Sequence, residues 1–512
     1  MAHHLQCSVQ PSLDQIDLKT WNKIIKRQVV EGNTKGAFHS YQQMQQSFTP
    51  DNFTYPVLLK SVSNRSHRRI GLALHGQIAK TPFHNHLLVQ TSLLNMYSSV
   101  EKLLEARKVF DNMQVKDTVA WNSMLDAYVS SGNMDVAVQV FRSMPKRDLF
   151  TFNIMLSGYA EIGDLDSARE VFDVMPQRNT ISWNSMILAC GNYGDMEVAR
   201  KVFDEMPERD VISWNTLLGA YLNNGLFEEV ILLFETMKAK QTVPPDYLSV
   251  TTALSACAGS GLLEKGREIH VYALDLGLAS STHVTTSLID MYSKCGCVDS
   301  FLTVFYKSEV RDVFCWNAVI SGLALHGYGV AALKVFDEML QRTKPDDITF
   351  IALLSACSHS GLIKEGQALF ESMETKYGVS RRMEHYGCIV DLLGRAGFLE
   401  SAYMIIDAMP FKPGRSVLGA LLSACVNYRN LEIGEKVVKM LVSVEGEDGL
   451  NDGDYMMVSN LYASCEEWDE ADRWRAMMND SGVVKTAGLS SIEVGNRVHK
   501  FLAGNMRLAK DF

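Results

Sequence analysis

Long apolar runs and enzyme signatures are both missing from this sequence of 512 residues. No stretch approaches the roughly 18–20 consecutive apolar residues that cross a bilayer, so the sequence predicts no membrane span. It contains no phosphate-binding loop, no dinucleotide fingerprint and no Ser/His/Asp set. We therefore expect no catalytic residues, no cofactor and no enzyme activity.

Metal-ligand spacing is also missing. The ten cysteines include no C-x-x-C pair, only the C-x-C of Cys295 and Cys297, and the thirteen histidines form no ligand spacing with paired cysteines. A zinc site is not expected without such spacing. Cys190, Cys257 and Cys357 instead recur one repeat apart, which is too far to share a metal or a disulfide, so we interpret them as small core residues.

Basic residues are outnumbered, with 49 Lys and Arg against 59 Asp and Glu, and the resulting net charge of −10 counts against indiscriminate binding to a phosphate backbone. Residues 1–17 contain no arginine and few serines, so this N-terminal segment is a poor match to an organelle transit peptide.

Repetition is what the sequence does contain. Trp-Asn occurs five times, and Phe152-Asn153 is a sixth, altered copy. Asn122, Asn153, Asn184 and Asn215 are each 31 residues apart. A chain of this length exceeds the roughly 250–300 residues of a single core, so it must form either several domains or an array of repeats. Taking each of the six Asn residues as position 5 sets six repeat starts, and the intervening segments fit six more. The twelve repeats are 18–51, 52–86, 87–117, 118–148, 149–179, 180–210, 211–246, 247–281, 282–312, 313–346, 347–382 and 383–414.

Residues that were not used to set this register also recur at fixed positions. Position 15 is glycine in ten repeats, position 24 is Phe in eight, and position 27 is often Met. This pattern predicts two antiparallel helices in each repeat, the first ended by a glycine in the left-handed conformation. Small residues at position 20, such as Ala106, allow close helix packing, and the Phe and Met residues form the core. Stacked repeats then make an all-α, right-handed superhelical solenoid.

Asparagine at position 5 is the feature that this fold does not explain. Asparagine is a poor helix former, and the preceding Asp or Asn already caps the helix, as Asp117 does before Thr118. Tetratricopeptide repeats share the helix-turn-helix plan and bind peptides, but their period and motif differ. An Asn that recurs without a local role indicates a polar contact on one shared surface.

The sequence resembles the pentatricopeptide repeat family over nearly its whole length. The motifs are 117–122 (Asp-Thr-Val-Ala-Trp-Asn), 288–296 (Leu-Ile-Asp-Met-Tyr-Ser-Lys-Cys-Gly), 354–361 (Leu-Ser-Ala-Cys-Ser-His-Ser-Gly) and 385–397. Mixed repeat lengths look like the plant PLS subclass. The resemblance implies a single-stranded organellar RNA as ligand. Family frequency favours the mitochondrion over the chloroplast.

The resemblance also implies that position 5 and the last residue of each repeat jointly read one base, while an apolar position 2 stacks between bases. The RNA-binding pairs are then Asn22/Asp51, Asn122/Asp148, Asn184/Asp210, Asn215/Asp246 and Asn317/Asp346 for U, Thr91/Asp117 and Thr286/Asp312 for G, and Asn153/Asn179 for C. Position 5 is Pro56, Thr251, Ile351 or Gly387 in the other four repeats and gives no base. Read 5′ to 3′ from the N-terminus, the element is U-N-G-U-C-U-U-N-G-U-N-N.

Residues 415–503 resemble the two TPR-like E motifs of RNA-editing factors, and 504–512 form a tail. The blocks are 421–430, 455–462 and 468–472, closed by 488–499, in which Ser491 replaces the usual Trp. The H-x-E and P-C-x-x-C of a zinc deaminase do not occur. The resemblance implies a site-recognition factor for organellar C-to-U editing that recruits a separate DYW-type deaminase and accessory proteins through 415–503.

Two other functions stay open at this point. One is a factor for RNA stability, splicing or translation, although such proteins normally lack E motifs. The other is a protein-binding helical-repeat scaffold, against which the regular polar pairs count, since a peptide groove needs none.

Overall fold

The computed structural model describes residues 17–62, 67–240, 242–446, 449–485, 488–494 and 497–502. They belong to two compact units, Met1–Ala220 and Tyr221–Phe512. Both units consist of stacked helix pairs, which confirms the predicted helical-repeat fold class. The segments 1–16 and 503–512, which include most of the proposed N-terminal segment and tail, lie outside the described residues.

The first unit contains six successive helix pairs. Within each pair the two helices pack together, and the first helix also packs on the first helix of the next pair. The bounds are α1 (Leu18–Val30), α2 (Thr34–Met44), α3 (Thr54–Ser61), α4 (Arg68–Ile78), α5 (Leu87–Ser99), α6 (Leu103–Asn112), α7 (Thr118–Ser130), α8 (Met134–Ser143), α9 (Leu149–Ile162), α10 (Leu165–Asp173), α11 (Thr180–Tyr193) and α12 (Met196–Glu205), with a short 3-10 helix at Pro82–Asn85. The next helix, α13 (Val211–Asn223), contains the boundary between the units.

The second unit continues the same alternation. Its helices are α14 (Phe227–Lys240), α15 (Tyr247–Ser260), α16 (Leu263–Asp275), α17 (Thr282–Lys294), α18 (Val298–Lys307), α19 (Val313–Leu325), α20 (Gly329–Leu340), α21 (Asp347–Ser360), α22 (Ile363–Tyr377), α23 (Met383–Arg395), α24 (Leu399–Asp407), α25 (Arg415–Tyr428), α26 (Leu431–Glu445), α27 (Asp452–Ser464) and α28 (Trp468–Asp480), with a 3-10 helix at Leu278–Ser280. In eleven of the twelve proposed repeats, the first helix begins at the first residue of the repeat. In the second repeat it begins at Thr54, two residues later.

Position 15 takes the left-handed conformation throughout the described chain. All ten glycines predicted there have φ between 67° and 94°. The same conformation is forced on three other residues at this position of their helix pairs: Glu101 (φ 58°), Arg429 (φ 51°) and Glu466 (φ 67°). The turn between the two helices therefore requires this backbone conformation even where the sequence provides no glycine.

The core consists of the apolar residues predicted from the repeat. Phe110, Phe203 and Phe305 are at most 2% exposed, whereas Phe141 and Met409 are only half-buried. Seven of the eight Phe residues at position 24 meet the aromatic residue at position 4 of the next repeat edge-to-face, as Phe110 does with Trp121 at 4.8 Å between ring centroids. Phe234 meets Tyr272 instead, because position 4 of the repeat after it is Val250. Such contacts join one repeat to the next and are worth about 0.5–1.5 kcal/mol each beyond burial.

Arginines next to the repeat ends have a structural role that the sequence did not predict. Arg147 Nε donates to the carbonyl of Phe141 at 2.9 Å, and its guanidinium lies 4.5 Å from the ring centroid of the same residue. Arg209 repeats this arrangement with Phe203. These side chains satisfy carbonyls at the ends of the second helices, so their charges are engaged within the protein.

One hairpin interrupts the all-helical pattern. Strands β1 (Leu489–Val494) and β2 (Arg497–Leu502) pair antiparallel, with Leu489 opposite Leu502. Strands are not expected from the sequence here, where 488–499 resembles only the segment that closes the C-terminal motifs.

Candidate functional site

Exposed apolar side chains mark position 2 of nine repeats. An apolar residue at the first turn of a helix would normally be buried, yet these nine are 45–65% exposed. They are Phe53, Leu88, Val119, Phe150, Ile181, Ile212, Leu248, Phe314 and Ile348. Regularly spaced apolar faces in contact with water are available to stack on planar ligands.

Beside these residues lies a recurring hydrogen-bond network, which is seen clearly around Asn122. Its Nδ2 donates to Asp148 Oδ1 at 3.1 Å, and its Oδ1 accepts from the Thr151 hydroxyl at 2.7 Å. The Thr151 hydroxyl also lies 2.8 Å from Asp148 Oδ1 and accepts from the Asp148 backbone N–H at 3.1 Å. The network therefore links position 5, the last residue of the repeat and position 3 of the next repeat.

The same network occurs in three other repeats. The first contact joins Nδ2 of the position-5 Asn to Oδ1 of the terminal residue: 3.2 Å for Asn22/Asp51, 3.3 Å for Asn153/Asn179 and 2.9 Å for Asn317/Asp346. The second contact joins the position-3 hydroxyl to Oδ1 of the same Asn: 2.8 Å for Thr54, 2.9 Å for Ser182 and 2.7 Å for Thr349. In these four repeats the position-5 Asn, which the sequence indicates has no capping role in its own helix, thus has hydrogen-bond partners at the end of its repeat and in the next repeat. Each amide still retains one N–H and one lone pair for another partner.

Asp148 and Asn179 each turn one side-chain atom inward and leave the other without a hydrogen bond to any described residue. In Asp51, by contrast, Asn22 Nδ2 contacts both oxygens, at 3.2 and 3.4 Å. Asp148 Oδ1 accepts from the Thr151 backbone N–H at 2.9 Å as well as from the groups above, so it also caps α9. Asp148 Oδ2 has no hydrogen-bond partner in the described part of the chain. Asn179 Oδ1 likewise takes contacts from Ser182 N at 3.0 Å, Ser182 Oγ at 2.9 Å and Asn153 Nδ2. Its Nδ2 has no partner among the described residues.

The two Thr-type pairs are built differently. Thr91 donates its hydroxyl to the carbonyl of Leu87 in its own helix at 3.0 Å, and Asp117 caps α7 through Ala120 N at 2.8 Å. Thr286 Oγ1 lies 3.2 Å from Cys315 Sγ, and Asp312 caps α19 through Cys315 N at 3.0 Å. In these repeats position 3 of the next repeat carries no hydroxyl.

The sixth and seventh repeats complete the predicted pairs. Asp210 caps α13, accepting from Ser213 N and Ser213 Oγ at 2.8 Å each. The buried Oδ1 of Asn184 has no hydrogen-bond partner among the residues that the structure describes. Asn215 lies in α13 and is half-buried. Asp246 caps α15 through Ser249 N at 2.9 Å.

A cavity of about 500 Å³ opens at the fourth repeat. Its lining includes the position-2 residues Val119 and Phe150 and the pair Asn122 and Asp148. Two apolar side chains and one polar pair thus border the same space, which suits a flat ligand with a hydrogen-bonding edge.

The carboxylates of Asp51 and Asp148 are ionised at neutral pH, since both pKa values lie below the ordinary one. Burial alone would raise the pKa of Asp51, but hydrogen bonds from the backbone N–H and hydroxyl of Thr54 outweigh it and lower the pKa below its ordinary value. The pKa of Asp148 is lowered by the same balance, burial being opposed by Thr151 and Asn122. Each carboxylate therefore acts as an acceptor only.

Metal ions and membrane lipid are two other possible ligands of the described residues. In the part of the chain that the structure describes, no cluster of three His, Cys, Asp or Glu side chains could hold a metal ion. Nor is any described helix both long and apolar enough to cross a membrane. Cys190, Cys257 and Cys357 are fully buried, as predicted for core residues, and Cys425 is fully buried as well.

The fold and the site together define a helical-repeat protein with a regular row of polar pairs. Models described as "PPR repeat" match residues 91–117, 119–149, 146–176, 181–211, 284–313 and 348–377. A model described as "PPR repeat family" matches 209–259 and 311–359, and one described as "E motif" matches 428–493. Pentatricopeptide repeat-containing protein At5g56310 of Arabidopsis thaliana is 36% identical over 458 residues, 89% of this chain and 74% of the relative. The chain belongs to the pentatricopeptide repeat family, and its E motif fits the predicted PLS subclass.

Two further Arabidopsis relatives have organelles in their names. The putative pentatricopeptide repeat-containing protein At5g59200, chloroplastic, is 43% identical over 52% of this chain and 48% of its own length. The pentatricopeptide repeat-containing protein At5g40410, mitochondrial, is 40% identical over 51% of this chain and 43% of its own. The matched part spans less than half of each of these two relatives.

Solved structures support the fold. The crystal structure of the pentatricopeptide repeat protein PPR10 from maize superposes with a TM-score of 0.61 at 18% identity, over 93% of this chain and 76% of that one. PPR10 in complex with an 18-nt psaJ RNA element gives a TM-score of 0.51, also at 18% identity, over 92% and 76%.

Proposed function

We propose that this protein binds single-stranded RNA and reads one base with each coded repeat. The observation that carries the proposal is the uncommitted outer atom of the terminal residue. It is a carboxylate oxygen in Asp148 and Asp346 but an amide nitrogen in Asn179, while the inner atom is an oxygen in all three.

This difference matches the chemistry of the bases. Uracil and guanine carry a ring N–H on their Watson–Crick edge, which an ionised carboxylate accepts. Cytosine has a ring nitrogen acceptor at the corresponding place, which suits the N–H of Asn179. The exposed apolar residues at position 2 would stack on bases without regard to sequence. The proposed pairs therefore read U-N-G-U-C-U-U-N-G-U-N-N, with the repeat boundaries as assigned from the sequence.

The biological role that we propose is site recognition in C-to-U editing of organellar transcripts, with the edited C a few nucleotides 3′ of this element. The E motif at 428–493 supports this role, and the relatives named chloroplastic and mitochondrial support a plant organelle. The deaminase acts in trans, through residues 415–503. A factor for RNA stability, splicing or translation is the alternative, and the E motif counts against it.

Binding tests the RNA proposal directly. Wild-type protein should bind the predicted RNA more tightly than a copy whose C is changed to A. The Asn153→Thr variant, which creates a Thr/Asn pair, should reverse this preference. Each good base contact contributes about 1–3 kcal/mol, by analogy with base readout in DNA. If neither protein distinguishes the RNAs, base reading fails, and a protein-binding scaffold becomes the better explanation.

Editing needs a separate measurement. In plants that lack this protein, sequencing of organellar cDNA should show loss of C-to-U conversion at a C downstream of the element. Transcript abundance and splicing should stay normal. Unchanged editing together with a missing or unspliced transcript would favour the alternative function while leaving RNA binding intact.

A further inference from the structure

Six fully buried hydroxyls lie beside the proposed base-reading pairs. They belong to position 3 of the repeat that follows each position-5 Asn, and all have 0% relative exposure: Thr54, Thr151, Ser182, Ser213, Ser249 and Thr349. A buried hydroxyl needs hydrogen-bond partners, because leaving it without one costs about 1–3 kcal/mol. The helix cap satisfies part of this need, and in four repeats the preceding Asn satisfies the rest.

The hydroxyl follows the identity of the preceding position 5. All six repeats with Asn at position 5 are followed by Ser or Thr at position 3. The two coded repeats with Thr are followed by Ala120 and Cys315. In the four uncoded repeats the next position 3 is Val89, Val284, His385 or Val417. A requirement of the helix cap alone would not produce this division, because Asp117 and Asp312 cap their helices without a hydroxyl at that position.

The chemistry explains why Asn requires the hydroxyl. An amide can rotate by 180° and exchange its donor for its acceptor, whereas a carboxylate presents oxygen either way. A neighbouring carboxylate attracts the Asn122 Nδ2, and the Thr151 hydroxyl holds the Oδ1 on the other side. Thr91 needs no such partner, because its hydroxyl is held by its own helix.

We infer that the position-3 hydroxyl is a positioning residue for base selection by the preceding repeat. It orients the amide of the position-5 Asn, and so decides which groups of that amide remain for the base. The inference rests on the proposed RNA binding. It makes the base-reading unit a set of three residues drawn from two adjacent repeats.

Loss of the hydroxyl provides the first test. Thr151→Val keeps the shape of the side chain and should lower the U-over-C affinity ratio at the fourth nucleotide by about five- to tenfold, the effect of one lost hydrogen bond. The U-over-C affinity ratio at the tenth nucleotide, which the unchanged pair Asn317/Asp346 would read, should stay the same. Thr151→Ser should retain the wild-type ratio within about twofold, since it keeps the donor.

A matched control separates positioning from stability. Thr285→Val removes another buried hydroxyl, from a residue 1% exposed that bonds to the carbonyl of Ala279 at 3.2 Å. It should destabilise the protein without changing the ratio at the fourth nucleotide. Thermal unfolding of both variants, measured beside RNA binding, shows whether the loss of selectivity follows the loss of stability.

Gain of the hydroxyl provides the second test, in the ninth repeat. Thr286→Asn alone should give only weak preference for U at the ninth nucleotide, because Cys315 has no hydroxyl. Adding Cys315→Ser should strengthen the U-over-G ratio by about five- to tenfold over the single variant.

The outcomes distinguish this inference from the function on which it rests. The positioning role is refuted, and RNA reading stands, if wild type discriminates bases but two results are negative. Thr151→Val would leave the U-over-C affinity ratio at the fourth nucleotide unchanged, and adding Cys315→Ser to Thr286→Asn would leave the U-over-G ratio at the ninth unchanged. If wild type does not discriminate at the fourth or ninth nucleotide, the proposed function itself fails.

Discussion

Asn179→Asp replaces one atom and should switch the base read by the fifth repeat from C to U. In the wild type, Asn179 Oδ1 is held by Ser182 N, Ser182 Oγ and Asn153 Nδ2 at 3.0, 2.9 and 3.3 Å. Asp148, Thr151 and Asn122 form the same three contacts one repeat earlier. The substitution therefore keeps the inner oxygen in place and changes only the outer group, from an N–H donor to a carboxylate oxygen.

The expected change in base preference follows from this exchange of the outer group. Correct readout of one base is worth about 1–3 kcal/mol, and each 1.4 kcal/mol is a factor of ten in affinity. The variant loses its contact with cytosine and gains one with uracil, so the two effects add to about 2 kcal/mol or more and the C-over-U affinity ratio should fall by at least about 30-fold. Folding stability should change little, because Asn and Asp are about equal as helix caps.

Fluorescence anisotropy on two labelled RNAs measures this ratio. One RNA carries C at the fifth position of U-N-G-U-C-U-U-N-G-U-N-N, and the other carries U. The reciprocal variant, Asp148→Asn, should shift the fourth position from U to C and acts as the matched control. A folded Asn179→Asp protein that still prefers C would refute the argument that the outer atom of the terminal residue selects the base.

Three further predictions concern the protein without RNA. Glu466→Gly should raise the free energy of unfolding by about 0.5–1 kcal/mol, because Glu466 holds φ at 67°, where glycine is unstrained. Denaturant unfolding of wild type and variant measures this difference. Burial raises the pKa of Cys357 and Cys425 to about 12, so at neutral pH both thiols should react with iodoacetamide only after unfolding, as mass spectrometry of native and denatured samples would show. The pKa of Asp148 lies below the ordinary 3.8, so its ionised form stabilises the fold above that pH, and this contribution should disappear as the pH falls through the lowered value; comparing unfolding of wild type and Asp148→Asn from pH 7 to 2 measures it.

Each of these predictions has its own control. Ala476→Gly, at an exposed position inside α28, should destabilise by about 1 kcal/mol, since glycine weakens a helix interior. If both glycine substitutions destabilise equally, the strain at Glu466 is not as described. Fast alkylation of Cys357 in the native protein would contradict its burial. A difference between wild type and Asp148→Asn that stays constant down to pH 2 would contradict the lowered pKa.

Much of the repeat could be predicted from the sequence because its determinants are local. A helix begins where Asp or Asn caps it and ends where glycine takes a left-handed conformation, and both signals recur at fixed spacing. The helices accordingly begin at the predicted residues in eleven repeats. The hairpin at 489–502 was missed, because strand pairing depends on a partner elsewhere in the chain and this segment does not repeat.

The site was predicted less completely. The paired positions 5 and last could be named, but the contacts that Asn122 makes within the protein could not be. Its partners, Asp148 and Thr151, are 26 and 29 residues away. The sequence shows that Asn at position 5 is always followed by Ser or Thr at position 3 of the next repeat. Only the distances in the structure show that, in four repeats, these side chains form hydrogen bonds with each other.

The sequence by itself determined the repeat, the helix ends, the apolar core and the residues offered to a ligand. These follow from periodicity and from backbone preferences, which act over a few residues. Only the tertiary structure decided which atom of each terminal residue turns inward and which is left for a base. That choice depends on packing one repeat against the next, since the hydroxyl that completes the network comes from the following repeat.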